Sequence, residues 1–186
     1  MAQRTVEGVR TNGVRQDVTP AMKHRPTNRR TLMLPGILLG IGLGGFVDGI
    51  VLHQLLQWHH MLTSHGAYPA TTVAGLEVNT LWDGIFHAST WLAVAVGLFF
   101  LWKAGGRDDV AWSGRAFIGL LAVGWGLFNL VEGVVDHHLL TIHHVRDDVT
   151  HTLPWDLGFL MVGGLLVVVG WWLYRTAAAL ASGRES

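Results

Sequence analysis

Two strings of acids and histidines stand inside apolar sequence. Asp48-Gly49 is followed by His53 and then His59-His60, and Glu132-Gly133 by His137 and then His143-His144, so both read acid-Gly-x3-His-x5-His-His. Neutral imidazoles and ionised carboxylates are the usual ligands of Zn, Fe, Mn and Cu(II), and a bound cation would stabilise acids held away from water. A third cluster supports this: Asp83 and His87 are four residues apart, close enough to share a helical face. Its counterpart has Asp156, but Leu160 where the histidine would fall. The expected ligand set is Asp48, His53, Asp83, His87, Glu132 and His137. Around it, His59, His60, Asp136, His143, His144 and Asp156 are candidates for an outer capture site or for orienting the inner ligands. The absence of Cys excludes thiolate metal sites, iron-sulfur clusters, disulfides and a Cys nucleophile.

Plainer roles compete. Asp83 and Asp156 stand near expected helix starts, where Asp is a good N-cap. The His-His pairs follow apolar runs directly, where an imidazole can simply meet water and lipid phosphates. Asp48 with His53, and Glu132 with His137, could form a hydrogen-bonded network without metal. His24 and His151 have no such surroundings, and Met61 and Met161 do not make a copper-thioether motif.

The elements that must position these residues are membrane helices. Half of the 186 residues are hydrophobic and 14% are charged, with a mean hydropathy of +0.36, too apolar for a soluble domain. Runs near Leu34–Trp58, Leu81–Trp102, Ala116–Leu140 and Pro154–Tyr174 can each span about 30 Å. This predicts an all-α bundle of four transmembrane helices over residues 34–174. A disordered tail is expected over 1–33 and a second polar tail over 175–186. Trp58, Trp82, Trp102, Trp155, Trp171 and Trp172 sit near run ends, where indole prefers the headgroup boundary. Trp91 and Trp125, away from run ends, read as core volume. Gly36, Gly40 and Gly44 make a small-xxx-small stripe for close helix packing. Of 13 Lys and Arg, only Arg146 lies outside the two tails and the loop between spans two and three. Both termini are therefore expected in the cytoplasm, with the protein in the inner membrane and the His pairs on the far side. With a formal net charge of zero, nothing suggests nucleic-acid binding. A homo-oligomer is compatible with this composition.

Sliding the chain by 84 positions superposes the two strings, and Trp82-Asp83 with Phe86 resembles Trp155-Asp156 with Phe159. Each half is then a two-span hairpin, and tandem copies enter the membrane with the same orientation, so matching residues meet at one depth. At about 100° per residue, Asp48 shares a stripe with His59 and His53 shares another with His60; Glu132, Asp136 and His143, then His137 and His144, repeat this.

Residues 40–60, Trp82-Asp83-Gly84-x2-His87, Glu132-Gly133-x3-His137 and Trp155-Asp156 resemble a bacterial family of predicted membrane proteins, domain of unknown function 2243, across about residues 34–174. The resemblance implies four spans and makes the acid-histidine pattern a hallmark. It carries no activity, and it implies an association with respiratory-oxidase assembly factors. Several functions stay open. One is a mono- or dinuclear metalloenzyme acting on a small or lipid-soluble substrate. Another is metal handling by transport, delivery or oxidase assembly. A third is bis-His haem on His53 and His137, against which the many acids argue. Bundles seat dinuclear iron or manganese on Glu and His, although the Glu-x-x-His spacing of that class is absent. A through-pore is disfavoured, because the cytoplasmic halves of spans one and three carry Gly, Leu and Ile.

Overall fold

The computed structural model describes residues 28–182. Among them are four long helices and no strand: α1 (Met33–Val47), α2 (Val73–Gly105), α3 (Gly114–Glu132) and α4 (Leu153–Ser182). A π-helical segment extends α1 over Asp48–Leu55, and another extends α3 over Gly133–Leu139. The four spans Arg30–Leu55, Val73–Gly105, Gly114–Leu139 and Leu153–Ala177 are long and apolar enough to cross a bilayer. The expected disorder before residue 28, with His24, falls outside the described residues.

Helix ends differ from those that hydropathy suggests. The first span stops at Leu55, short of Trp58, and Gln57 adopts φ 51° in the turn that follows. Helix α2 begins well before Leu81: Thr72 Oγ1 accepts from Gly75 N–H at 3.1 Å as its N-cap. Asp83 therefore lies inside α2 and caps nothing. Helix α4 runs past Tyr174 to Ser182.

Helices α1 and α3 form the centre, α2 packs on α1, and α4 packs on α3. In the most apolar 18 residues of each span, 50% and 44% are buried in the central pair but 11% in each outer helix, so α2 and α4 present most of their surface to lipid. Glycine permits the close approach at the centre. A Cβ on Gly40 would collide with Leu121 O and come within 2.9 Å of Gly124 Cα, and one on Gly124 would collide with Ile37 O. Trp125 packs on Gly44, whereas Trp91 is 63% exposed and faces outward instead of filling the core. At the end of the bundle that carries the termini, Leu32, Ala104, Val110 and Leu120 form a buried apolar cluster. The acid-histidine residues collect at the opposite end.

Candidate metal centre

The two π-helical segments set the site. In an α-helix, side chains five residues apart diverge by about 140°; bonding from i to i+5 instead closes the turn on the fifth residue. Leu56 N–H donates to Val51 O at 2.8 Å, and Leu140 N–H to Val135 O at 2.8 Å. Asp48 and His53 consequently share a face, with Oδ2 and Nε2 3.0 Å apart. The stripes expected from α-helical geometry, Asp48 with His59 and His53 with His60, do not form, because His59 and His60 lie beyond the helix. The loops over 56–63 and 140–147 return these histidines over the helix ends.

Outside the cluster, three of the four inner imidazoles are held by a hydrogen bond at Nδ1, and the Nδ1 of the fourth, His137, is buried near a carboxylate without one. His59 Nδ1 donates to Val145 O at 2.9 Å, and His143 Nδ1 donates to Met61 O at 3.2 Å, so each loop orients the other's ring. The two rings stack with centroids 4.6 Å apart and planes within 3°. His53 Nδ1 donates to Asp83 Oδ1 at 3.0 Å, and His137 Nδ1 is 3.5 Å from Asp156 Oδ1. Asp83 also accepts from Met61 N–H at 2.9 Å and His60 Nδ1 at 2.7 Å. Asp156 accepts from Val145 N–H at 3.0 Å and His144 Nδ1 at 2.7 Å. The residues that point at the two carboxylates are 84 apart, His53 and His137, His60 and His144, Met61 and Val145, while the carboxylates Asp83 and Asp156 are 73 apart. With its oxygens so engaged, Asp156 does not cap α4 either. Phe86 stacks on His53 at 5.5 Å, and Phe159 lies 5.4 Å from His137.

Inside the cluster the opposite holds. Asp48 Oδ2, both Glu132 oxygens, and Nε2 of His53, His59, His137 and His143 are buried with no aligned hydrogen-bond partner. The six residues expose between 0% and 4% of their surface. A proton on Nδ1 leaves Nε2 as a bare lone pair. Burial first, and then the neighbouring imidazole His53, push His143 down to about 4; burial and His143 push His59 well below its usual range, so both rings are neutral at pH 7. Bare acceptors facing one another in a dry pocket repel unless a cation or shared protons separate them.

Three groups of donor atoms lie within 4.8 Å of one another: His53, His59 and His143; Glu132, His137 and His143; and Asp48, His53 and Glu132. A cation with bonds near 2.1 Å separates its ligand atoms by about 3–4 Å, so the donors fit an ion with small adjustment. Of the expected inner set, Asp48, His53, Glu132 and His137 belong to these groups. Asp83 instead stands behind His53. His87 is turned away: its Nδ1 donates to Asp83 O at 2.6 Å, and its ring covers Gly49. Leu160 covers Gly133 in the same way, which explains why a leucine can stand at that position. Asp136 is half-buried and outside the groups, and His60 and His144 lie at the rim holding Asp83 and Asp156.

Three features were not read from the sequence. The Met61 and Val145 carbonyls carry no side-chain signal. Asn79 clamps the first loop, donating to Tyr68 O at 2.9 Å and accepting from Leu62 N–H at 2.8 Å. Asn129 has a buried, unpartnered Oδ1; a polar residue within an apolar span was the available clue to it. Haem does not fit His53, whose Nε2 faces Asp48 and whose ring centroid is 4.3 Å from that of His59; no macrocycle passes between them.

Residues 35–177 match the model of a family described as predicted membrane protein (DUF2243). No curated protein and no solved structure matches the chain.

Proposed function

We propose, for a chain that belongs to this family of predicted membrane proteins, that it binds first-row transition metal in the membrane through Asp48, His53, His59, Glu132, His137 and His143. Each half contributes two histidines and one carboxylate, the donor set that suits non-haem iron and also accommodates manganese, zinc or copper(II). Six ligands in two such sets suit a pair of ions. Asp83, Asp156 and the Met61 and Val145 carbonyls would fix the ring tautomers from behind. The observation that carries this reading is the convergence of unpartnered acceptors from six buried residues.

Their burial and fixed orientation favour a resident centre that performs chemistry over a passage site, as does the buried apolar cluster at the other end of the bundle. When bound, the metal would supply Lewis-acid or redox chemistry; the chain's own residues hold it, exclude water and keep His59 and His143 neutral. We further read the two halves as tandem copies of one hairpin, since Asp48 and Glu132, His53 and His137, and His59 and His143 are each 84 apart. We read the distribution of basic residues as favouring termini in the cytoplasm and a centre near the outer face of the inner membrane.

Metal analysis of the protein purified from membranes tests this. About two ions per chain are expected, falling by half or more in His143→Ala or His137→Ala and unchanged in His65→Ala. A folded wild-type protein without metal would leave only a proton-sharing network. Metal lost to a chelator within minutes would favour handling, including delivery to a respiratory oxidase.

A further inference from the structure

A cavity of about 380 Å³ opens between the start of α1 and the end of α2, at the end of the bundle that carries the termini. Leu34, Pro35 and Phe100 give it apolar walls, and Thr31, Lys103 and Arg107 bring a hydroxyl, an ammonium and a guanidinium to it. Among the described residues no carboxylate pairs with Lys103, whose ammonium lies 5.6 Å from the centre of the Phe99 ring. Arg107 engages Asp109 through Nε and Nη2 at 2.9 and 2.8 Å, which leaves the N–H groups of Nη1 for a second acceptor.

The two halves differ here in both shape and charge. Gly119, 84 positions beyond Pro35, lets α3 and α4 touch, since a Cβ on it would come within 2.5 Å of Gly170 O. Pro35 puts a ring at that place between α1 and α2, and the cavity opens over it. By the offset of 73 that relates Asp83 to Asp156, Lys103 corresponds to Thr176, whose hydroxyl donates to Trp172 O at 2.9 Å. Arg115 stands 84 beyond Thr31, but its guanidinium lies over the Trp172 ring at 5.2 Å. The first half therefore combines an opening with cations that can take a ligand.

Apolar walls beside free cationic donors select an amphipathic anion, and basic pockets between membrane helices recognise acidic headgroups. Trp102, next to Lys103, is 76% exposed, as befits an indole at the headgroup boundary. The volume is more than twice the about 150 Å³ that admits benzene, so a phosphate ion alone would leave the walls unfilled. We propose that this cavity binds an anionic phospholipid, its phosphate held by Lys103, Arg107 and Thr31 and one acyl chain laid along Leu34 and Phe100. The site lies at the opposite end of the bundle from the acid-histidine cluster and does not depend on the metal reading.

Native mass spectrometry of the full chain, released from detergent and titrated with phosphatidylglycerol, phosphatidylcholine or inorganic phosphate, tests this. One phosphatidylglycerol should bind at least about tenfold tighter than phosphatidylcholine with the same chains. Lys103→Gln should cut that preference at least about fivefold, whereas Arg115→Gln, which removes a cation from the same end of the bundle but outside the cavity, should preserve it. Leu34→Trp keeps every charge and fills the cavity from its exposed side; it should weaken phosphatidylglycerol binding at least about fivefold. All three positions are exposed, so the variants keep the fold. Equal affinity for the two lipids, no effect of Lys103→Gln, or wild-type binding by Leu34→Trp would overturn the proposal. So would equal losses in Lys103→Gln and Arg115→Gln, the mark of a diffuse basic surface, or displacement of the lipid by millimolar phosphate, the mark of a site for the free anion.

Discussion

At the scale of single residues, orientation separates ligands from supports. Asp83 accepts from His53, His60 and the Met61 amide, so Asp83→Asn puts an NH2 group where a donor already points. His53 would lose its fixed tautomer, and metal affinity should fall about 10–100-fold by competition titration. His87→Ala should leave affinity intact and cost only packing on Gly49; if it instead strips the metal, His87 is a ligand. The sequence made the chemistry legible, because acids and imidazoles inside apolar runs have few other uses. It could not separate inner from outer roles. His59 and His143 look peripheral by position but are returned inward by loops, and Asp83 looks like a cap only if α2 is taken to start near Leu81.

Asp147 gives a separate residue-scale prediction. Burial pushes its carboxyl up, although Ser64 and the His144 amide donate to it, and its Oδ2 is buried without a partner. A carboxyl whose pKa is raised on folding binds its proton more tightly when folded, so ionisation costs stability as pH rises through that raised value. Asp147→Asn should therefore melt higher than wild type at pH 7. The gap should narrow as pH falls toward about 4. A gap that does not vary with pH would contradict this.

Among elements, the π-helical segments matter most. Deleting Val134, which is exposed, should let Gly133–Leu139 relax to α-helix and rotate His137 by about 100°. The variant should keep its helical circular dichroism but lose metal; retention of both would show that the wide turn is dispensable. Helix packing has its own test. Gly40→Ala meets the backbone of α3 and should destabilise the bundle by about 1–3 kcal/mol, whereas Gly84→Ala meets nothing within 4 Å and should be neutral in thermal unfolding. Hydropathy was enough to find four spans, and the Gly36, Gly40 and Gly44 stripe was visible in spacing alone. The π turns were not, because hydropathy is blind to which carbonyl an amide chooses, and with them went the true faces of Asp48 and His53.

For the whole molecule, the two central helices carry Asp48 and Glu132, and the two outer helices back them with Asp83 and Asp156 and cover them toward lipid, with loops knitted across the top. The Ser64 amide donates to Ile142 O at 3.0 Å, and the Asp147 amide donates to Trp58 O at 3.0 Å. The chain has no cysteine, so single replacements report sidedness cleanly. Thr141→Cys should react with an impermeant maleimide added outside spheroplasts, and Gly106→Cys only after lysis. The reverse pattern would invert the proposed orientation.

The most direct test is an anomalous-scattering map from crystals of the protein as purified, with data collected on both sides of the absorption edge of the metal found by elemental analysis. Two peaks are expected within the cluster, about 2.0–2.3 Å from their ligand atoms among Nε2 of His53, His59, His137 and His143 and the carboxylates of Asp48 and Glu132. No peak in that cluster, with density joining the carboxylates directly to the imidazoles, would contradict it.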